Sequence, residues 1–320
     1  MSLPFFSKRW SCKGKHVFIT GGSQGLGLAL AELCAAKGAA RVTICSRSQA
    51  KLDLALAQVQ AAAATTGSTQ CHAVAADVST FEGAQKALEA AAAGGTQPDV
   101  VFCCAGGAKP GFFIEQTQLD FETGFKTDYM TALATSHAAA SLFVRVAKRD
   151  AKIVLVSSTL GLMGMVGYAQ YSPMKFAIRG LAECLRSELQ LYSIDVHAYF
   201  PGTILSPGYQ EENKTKPAIT LELEGDGEKE GLTPKQCAEG LLKGVERGRF
   251  FITTDILTEL FRAATASGGS VPGNGWLLDK AKSFMAGIGI PVWRIFIADR
   301  SIQAHREQHL KDLSLSKPAA

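Results

Sequence analysis

The stretch "KHVFITGGSQGLGLAL" (15–30) decides the fold class of this 320-residue chain. It opens with a short β-branched and aromatic run, continues through a glycine-rich loop, and ends in an apolar helical pattern. Glycines in such a loop let the backbone approach a pyrophosphate, and the amino end of the following helix favours negative charge. The stretch therefore predicts a dinucleotide-binding loop rather than a turn that merely requires glycine. Its predicted cofactor-binding residues are Gly21, Ser23, Gln24, Gly25 and Gly27.

Short strand-like runs alternate with longer helical stretches along most of the chain. Strands are predicted at 15–20, 41–45, 71–76, 99–104, 152–157, 195–200 and 249–253. Helices are predicted at 26–37, 48–63, 80–93, 118–149, 173–191 and 234–247. Near-continuous apolar strands that alternate with helices are typical of a parallel sheet covered on both faces. We predict an α/β, doubly wound parallel sheet of the Rossmann type, in a single catalytic domain over residues 1–275.

Two segments depart from this alternation. Residues 203–232 are rich in glycine, proline and charge, and they predict a long substrate loop or lid. Residues 276–320 predict a C-terminal extension, whose apolar segment 284–298 is interrupted by Pro291 and Arg294. This segment is shorter than the about 20 apolar residues of a membrane span, so a core helix, an interfacial helix and a span remain open. The basic residues around it, Lys280, Lys282 and Arg300 among them, favour an interfacial helix associated with the membrane.

Composition narrows the function classes. The formal net charge is +4, and the 33 lysines and arginines form no dense block, which argues against nucleic acid as a partner. Such mild basicity suits an anionic membrane surface. The eight cysteines show no metal-ligand spacing, so we expect free thiols in a reducing compartment and no metal site. The first ten residues, "MSLPFFSKRW", lack the apolar core of a signal peptide, so we expect the chemistry to face cytosol.

The end of the second predicted strand, "CSRSQAK" (45–51), indicates which nucleotide is bound. A carboxylate here would bind the adenosine ribose 2′-hydroxyl, but Arg47 and Lys51 stand one helical turn apart instead. Two cations suit a 2′-phosphate, and we therefore expect NADPH as the cofactor. Asp77 closes the third strand, where it is placed to accept a hydrogen bond from the adenine amino group.

The pentapeptide "YSPMK" (171–175) predicts a proton donor with a cation beside it. Positions i and i+4 share one face of a helix, so Tyr171 and Lys175 converge. A free phenol has a pKa of about 10, and a nearby ammonium is expected to lower the pKa of Tyr171. Ser158, at the carboxyl end of the fifth strand, can donate a hydrogen bond to the same reacting oxygen. Pro173 places the pair at a helix start, where its missing N–H needs no partner.

Together these motifs resemble the short-chain dehydrogenase/reductase family over about residues 12–255. The resemblance rests on "TGGSQGLG" (20–27), on "CCAG" (103–106), and on a serine thirteen residues before Tyr171. It implies that Ser158, Tyr171 and Lys175 are catalytic and that the chain forms a dimer or tetramer. It also implies that further residues contact the cofactor, namely Val78, Gly106, Tyr171, Lys175, Pro201 and Gly202.

One family position differs in this chain. The family usually has a fourth catalytic residue, an asparagine, and counting places Asp128 there, or Tyr129 if the alignment shifts by one residue. An ionised aspartate only accepts hydrogen bonds, whereas asparagine both donates and accepts. Asp128 must therefore act as an acceptor or in its protonated form.

The substrate has to be inferred from the remaining segments. The run "TLGLMGMVG" (159–167) suits an apolar ligand or plain packing. The segment "SPGYQEENKTKP" (206–217) resembles fungal family members that reduce the C3 ketone of the long-chain amino ketone 3-ketodihydrosphingosine. That resemblance implies sphingolipid synthesis at the cytosolic face of the endoplasmic reticulum membrane. We hypothesise that Glu211 or Glu212 meets the substrate ammonium. A reductase or dehydrogenase of another hydrophobic ketone or alcohol, such as a steroid or retinoid, and a non-catalytic NADPH-binding regulator remain alternatives.

Overall fold

Seven strands form one fully parallel sheet in the computed structural model of the chain. The structure describes residues 10–64, 67, 69–225, 227–266, 275–298, 300, 301, 304, 308 and 311. The strands are β1 (His16–Thr20), β2 (Arg41–Ser46), β3 (Gln70–Ala75), β4 (Val100–Cys103), β5 (Ala151–Val156), β6 (Ile194–Phe200) and β7 (Phe251–Thr253). Their order across the sheet is β3-β2-β1-β4-β5-β6-β7. The predicted doubly wound parallel sheet is therefore confirmed.

Helices cover both faces of this sheet. They are α1 (Gly25–Ala36), α2 (Gln49–Ala63), α3 (Phe81–Ala91), α4 (Gln118–Gly124), α5 (Thr131–Arg145), α6 (Ser172–Glu188), α7 (Pro207–Asn213), α8 (Ala218–Glu224), α9 (Gly227–Glu230), α10 (Pro234–Glu246), α11 (Ile256–Ala266) and α12 (Trp276–Trp293). Side chains alternate across a strand. Accordingly, Val17 and Ile19 of β1 pack in the core layer under α1, α2 and α10, while Phe18 packs in the opposite layer under α3, α5 and α6.

The sheet order places a crevice at the carboxyl edge. Strand β1 pairs with β2 on one side and with β4 on the other, so the chain order reverses between β1 and β4. Ligands of open α/β sheets bind at such a reversal, beyond the carboxyl ends of the strands. The glycine loop follows β1, and "CCAG" (103–106) follows β4, so both motifs meet at this crevice.

Residues 203–232, which we call the flap, differ from the predicted long loop because they contain the three short helices α7, α8 and α9. Local chemistry explains α7: the Ser206 side chain accepts a hydrogen bond from the Tyr209 N–H (3.3 Å), and Pro207 occupies the first helical position. The two ends of the flap are tied together, since Leu205 N–H donates to the Leu232 carbonyl (2.9 Å). The flap is a folded unit with a closed base.

The apolar C-terminal segment is also more regular than the sequence predicts. Helix α12 runs through Pro291, and a π-helical turn (Arg294–Ala298) follows it. The first part of the helix is held against α11 by two ion pairs of 2.6 Å, Arg262–Asp279 and Lys282–Glu259. Within the described residues no helix is both long and apolar enough to cross a bilayer. Residues 1–9, the Arg294 side chain and most of 299–320 lie outside the description.

All eight cysteines, which lie within the described residues, are free thiols, as the sequence predicts. Five of them are buried, at positions 12, 34, 45, 103 and 237. They serve as small apolar side chains in the two core layers.

Candidate active site

A cavity of about 1420 Å³ opens at the carboxyl edge of the sheet, beyond the ends of the paired strands β1 and β4. It brings together Ser158 and every predicted cofactor-binding residue. Those residues are Gly21, Ser23, Gln24, Gly25, Gly27, Arg47, Lys51, Asp77, Val78, Gly106, Tyr171, Lys175, Pro201 and Gly202. The flap and α12 contribute the opposite wall. The cavity therefore has two sides, a predicted nucleotide side and a substrate side formed by the flap and α12.

Two glycines of the glycine loop, Gly21 and Gly27, have no room for a side chain. Gly21 has φ +66°, and a Cβ there would lie 2.9 Å from the backbone of Ala105. A Cβ on Gly27 would lie 2.4 Å from the carbonyl oxygen of Gly21. Helix α1 begins at Gly25, so its free N–H groups lie at the cavity. This arrangement leaves room for a pyrophosphate against backbone amides.

The end of β2 supplies a polar corner of the same cavity. Arg47 and Lys51 are exposed there, and Lys51 Nζ lies 3.5 Å from the side-chain oxygen of Gln24. Ser48 caps α2 by accepting a hydrogen bond from the Lys51 N–H. The buried hydroxyl of Ser46 has no partner among the described residues. An unpartnered hydroxyl beside two cations fits the ribose end of a nicotinamide dinucleotide, and Ser46 was not predicted from the sequence.

The carboxylate of Asp77 already contacts two nearby residues, Ser79 and Lys126. Its Oδ1 accepts hydrogen bonds from the Ser79 N–H (3.1 Å) and hydroxyl (2.6 Å), and Lys126 Nζ lies 3.7 Å from Oδ2. The hydrogen bond from the Ser79 hydroxyl is the largest of the causes that lower the pKa of Asp77. Only Oδ2 is left for the predicted contact with adenine.

Ser158, Tyr171 and Lys175 converge beyond β5. Tyr171 stands directly before α6, with Pro173 in the first turn, and Ser158 hydrogen-bonds its hydroxyl. Lys175 Nζ lies 5.1 Å from the centroid of the Tyr171 ring. The Ser157 hydroxyl donates to the Lys175 carbonyl (2.8 Å), which fixes α6 against the end of β5. The three side chains therefore occupy one face of the cavity, as the motif spacing predicts.

The predicted lowering of the pKa of Tyr171 is wrong for the protein itself. Burial raises the pKa of Tyr171 well above its ordinary value, and the carboxylates of Asp128 and Glu212 raise it further. The hydrogen bond from Ser158 acts in the opposite direction. Tyr171 is accordingly a neutral phenol at working pH. A neutral phenol is the form that can give a proton to an oxygen on which negative charge develops.

Asp128 lies in an irregular helical stretch that brings its carboxylate close to Lys175. It lies in the π-helical stretch Phe125–Met130, has no exposed surface, and accepts a hydrogen bond from the Gly107 N–H (3.0 Å). Its Oδ1 is 3.5 Å from Lys175 Nζ. Burial raises the pKa of Asp128, whereas Lys175 lowers it. The alternative residue, Tyr129, instead packs its ring against Phe125 (5.6 Å between centroids), so Asp128 is the residue brought to Lys175.

Beside this group, the cavity is lined by four residues that we call the flap cluster: Tyr168, Glu212, Lys216 and Glu224. Lys216 Nζ lies 2.6 Å from Glu224 Oε2 and 3.2 Å from Glu212 Oε1. The Tyr168 hydroxyl contacts both carboxylates. Glu211, by contrast, pairs with Lys214 at the surface (2.6 Å). The only sequence signal for the cluster is the four-residue spacing of Glu212 and Lys216, because the other contacts are long-range.

Comparison with known proteins identifies the family of the chain. The sequence profile of the short chain dehydrogenases matches residues 15–217. A 3-ketodihydrosphingosine reductase of Cryptococcus neoformans is 37% identical over 313 residues, which cover 97% of this chain and 90% of the relative. The 3-ketodihydrosphingosine reductase of Yarrowia lipolytica is 35% identical over 293 residues, which cover 89% and 76% of the two chains.

Solved structures show the same fold. A short-chain dehydrogenase/reductase from Burkholderia phymatum in complex with NAD superposes with a TM-score of 0.68 at 20% identity, covering 80% of this chain and 94% of that one. A short-chain dehydrogenase from Sphingobium yanoikuyae in complex with NADPH gives a TM-score of 0.65 at 21% identity, covering 86% and 96%. On its sequence profile and its relatives, the chain belongs to the short-chain dehydrogenase family.

Proposed function

We propose that this protein is an oxidoreductase of sphingolipid biosynthesis that reduces the C3 ketone of 3-ketodihydrosphingosine to dihydrosphingosine with NADPH. The observation that carries the reaction type is the placement of Ser158, Tyr171 and Lys175 in one cavity with the glycine loop. The likeness to 3-ketodihydrosphingosine reductases supplies the substrate.

The side chains have distinct roles in this reaction. When bound, NADPH supplies the hydride. The Ser158 hydroxyl donates a hydrogen bond to the ketone oxygen, and the neutral Tyr171 phenol gives that oxygen its proton. Lys175 Nζ lies 5.1 Å from the centroid of the Tyr171 ring, where its ammonium is placed to hold the ring and to bind the nicotinamide ribose. Asp128 holds Lys175 in place from behind the cavity wall.

Enzyme assays separate this function from its alternatives. The purified full chain is expected to oxidise NADPH with 3-ketodihydrosphingosine much faster than with a panel of steroid and retinoid ketones. Faster turnover of a steroid or retinoid would replace the substrate while keeping the reaction. Absence of turnover on every ketone, with NADPH still bound, would support a non-catalytic regulator.

The preference for NADPH rests on the polar corner at the end of β2. We infer that Arg47 and Lys51 bind a 2′-phosphate, together with the unpartnered Ser46 hydroxyl. Hydrogen bonds to charged groups contribute about 1.5–3 kcal/mol each, so Arg47→Ala should raise the KM for NADPH about 10- to 100-fold and leave that for NADH unchanged. Arg145→Ala, an exposed change near Glu89, is the control. An equal loss with both nucleotides would contradict the assignment.

We further propose that the protein works on the cytosolic face of the endoplasmic reticulum membrane, docked through α12. The outer face of α12 and the following turn exposes large apolar side chains at helical spacing: Leu277, Phe284, Ile288 and Ile295. The other side of the helix lines the cavity with Met285, Ala286, Gly289, Ile290 and Trp293. A lipid substrate could therefore pass from the bilayer into the cavity along a single helix. Large exposed apolar patches commonly mark membrane or protein interaction sites.

Vesicle binding tests this docking. The double variant Phe284→Ser, Ile288→Ser should partition at least about tenfold more weakly onto anionic liposomes, since each buried apolar side chain contributes about 1.5–3 kcal/mol. Leu54→Ser, an equally exposed leucine on α2, is the matched control. Unchanged partitioning would contradict the proposal. The dimer or tetramer stays a prediction, and light scattering of wild type and of both variants tests it. If the double variant dissociates, the exposed face of α12 is a contact between copies of the chain.

A further inference from the structure

The flap cluster carries more negative charge than its own lysine balances. Lys216 contributes one ammonium, with its side chain only 1% exposed, whereas Glu212 and Glu224 contribute two carboxyl groups. No other lysine or arginine of the described residues is within 4.0 Å of either carboxylate. Half-buried like charges that close to each other repel unless a further cation or proton is present. The cluster is therefore short of one positive charge.

The Tyr168 hydroxyl shows the same shortage in its hydrogen bonds. It contacts one oxygen of Glu212 and one of Glu224, at 2.5 Å for Glu224, but it has a single proton to donate. One of the two oxygen–oxygen contacts consequently lacks a proton. A second ammonium entering the cluster would supply the missing hydrogen-bond donors and the missing charge together.

The cluster lies beside the reacting group. The ring centroids of Tyr168 and Tyr171 are 5.9 Å apart. The carboxylate of Glu212 is also one of the charges that raise the pKa of Tyr171. All four members of the cluster line the cavity, whereas Asp128 is buried behind Lys175 and does not. The cluster also already holds one primary ammonium, that of Lys216, 4.6 Å from the centroid of the Tyr209 ring. Its chemistry thus suits an alkylammonium adjacent to a ketone.

We propose that Glu212, with Glu224 and Tyr168, is the subsite for the ammonium of an α-amino ketone whose carbonyl lies at Tyr171. This rests on the proposed function and deepens it, because a charged subsite beside Tyr171 would favour an amino ketone over a plain ketone of the same length. Between the two candidates named from the sequence, the structure favours Glu212, since Glu211 points its charge to Lys214 at the surface.

Two ketones of equal chain length test the subsite, 3-ketodihydrosphingosine and the same molecule without its amino group. Glu212→Gln keeps the shape and removes the charge. It should lower kcat/KM for the amino ketone about 10- to 100-fold, mainly through KM, because hydrogen bonds to charged groups contribute about 1.5–3 kcal/mol. The value for the amine-free ketone should change by less than about twofold. Glu239→Gln, which removes an exposed carboxylate of α10 outside the cavity, should leave both values unchanged.

The other outcomes overturn the subsite. An equal loss on both ketones would make Glu212 a residue that only shapes the flap, and no loss on the amino ketone would remove it from recognition. If Glu212→Gln fails to fold, as judged by thermal melting, Glu224→Gln carries the same discrimination between the two ketones. Wild-type protein that reduces both ketones equally well refutes the subsite but not the reductase, whereas failure on both refutes the proposed function.

Discussion

The two sides of the cavity each hold a buried lysine, and the lysines are balanced differently. On the scaffold side, Lys175 of α6 faces a single carboxylate, Asp128, at 3.5 Å. On the flap side, Lys216 faces two carboxylates, at 2.6 and 3.2 Å, from α8 and α7. The scaffold side is thus neutral as a pair, which suits chemistry common to any ketone. The flap side keeps a surplus carboxylate, which suits recognition of one cationic substrate.

The largest expected effect is a loss of kcat on the scaffold side, and it should be the same for every ketone substrate. Tyr171→Phe removes the proton donor, and general acid catalysis contributes between about 10² and 10⁴ in rate, so kcat should fall on the order of 10³-fold. The loss should be equal for the amino ketone and for its amine-free analogue, unlike that of Glu212→Gln. NADPH binding, followed by thermal shift, should persist. Tyr129→Phe is the control, and a Tyr171→Phe enzyme with near-normal kcat would break the assignment.

The second effect compares the two buried lysines by stability. Asp128→Ala leaves the Lys175 ammonium buried without an opposite charge, and breaking a buried pair in this way costs about 3–5 kcal/mol. Glu212→Gln should cost less, because Lys216 keeps Glu224 at 2.6 Å. Urea unfolding of the two variants measures the difference in free energy of unfolding. Equal losses would show that the two lysines are not held differently, and Asp128→Asn, which keeps a polar group in place, should fall between Asp128→Ala and wild type.

The same division explains how far the sequence alone predicts the molecule. The seven strands follow from local periodicity, and the meeting of Ser158, Tyr171 and Lys175 follows from their spacing. Both signals can be read from the sequence without knowing which distant residues are in contact. The flap cluster does not, because Tyr168 and Glu224 are 56 residues apart and are joined only by folding. The sequence does not predict the helices of the flap, although "SPGY" (206–209) carries a cap signal, because the glycines and charges of the segment are typical of a loop.

The pKa of Tyr171 shows that residue spacing predicts a contact but not the effect of burial. The spacing to Lys175 correctly brings the ammonium to 5.1 Å from the ring, but spacing says nothing about desolvation. Burial is the largest influence, and it raises the pKa of Tyr171 rather than lowering it. Similarly, the sequence identifies Arg47 and Lys51 but not Ser46, because a buried hydroxyl without a partner can be recognised only in three dimensions.

The third prediction concerns pH and acts on the sheet scaffold. His16 and His197 lie buried in β1 and β6, and burial lowers the pKa of each to about 4. Unfolded histidine has a pKa of about 6.5, so below that pH the unfolded state binds more protons and folding weakens. Each histidine should remove up to about 3 kcal/mol between pH 6.5 and pH 4.

Urea unfolding at pH 7 and pH 4.5 measures this loss. His16→Gln should unfold with a smaller difference between the two pH values than wild type, because one titration is gone. The flap contains no histidine, so the part of the acid response that His16→Gln removes is specific to the sheet. An unchanged difference in the variant would remove His16 from the acid response.

The smallest effect separates global from local stability by removing one helix cap on each side. Thr80 caps α3 by accepting from the Gly83 N–H (3.0 Å), and Ser206 caps α7 by accepting from the Tyr209 N–H (3.3 Å). Replacing such a residue by alanine costs about 1 kcal/mol. Since α3 packs Leu88 into the core, Thr80→Ala should lower the free energy of global unfolding by that amount.

Helix α7 has no buried residue, so Ser206→Ala should leave the free energy of global unfolding unchanged and speed amide hydrogen exchange in the flap about fivefold. If Ser206→Ala instead lowered global stability as Thr80→Ala does, the flap would be part of the same cooperative unit as the sheet, and substrate recognition could not be tuned there without weakening the fold.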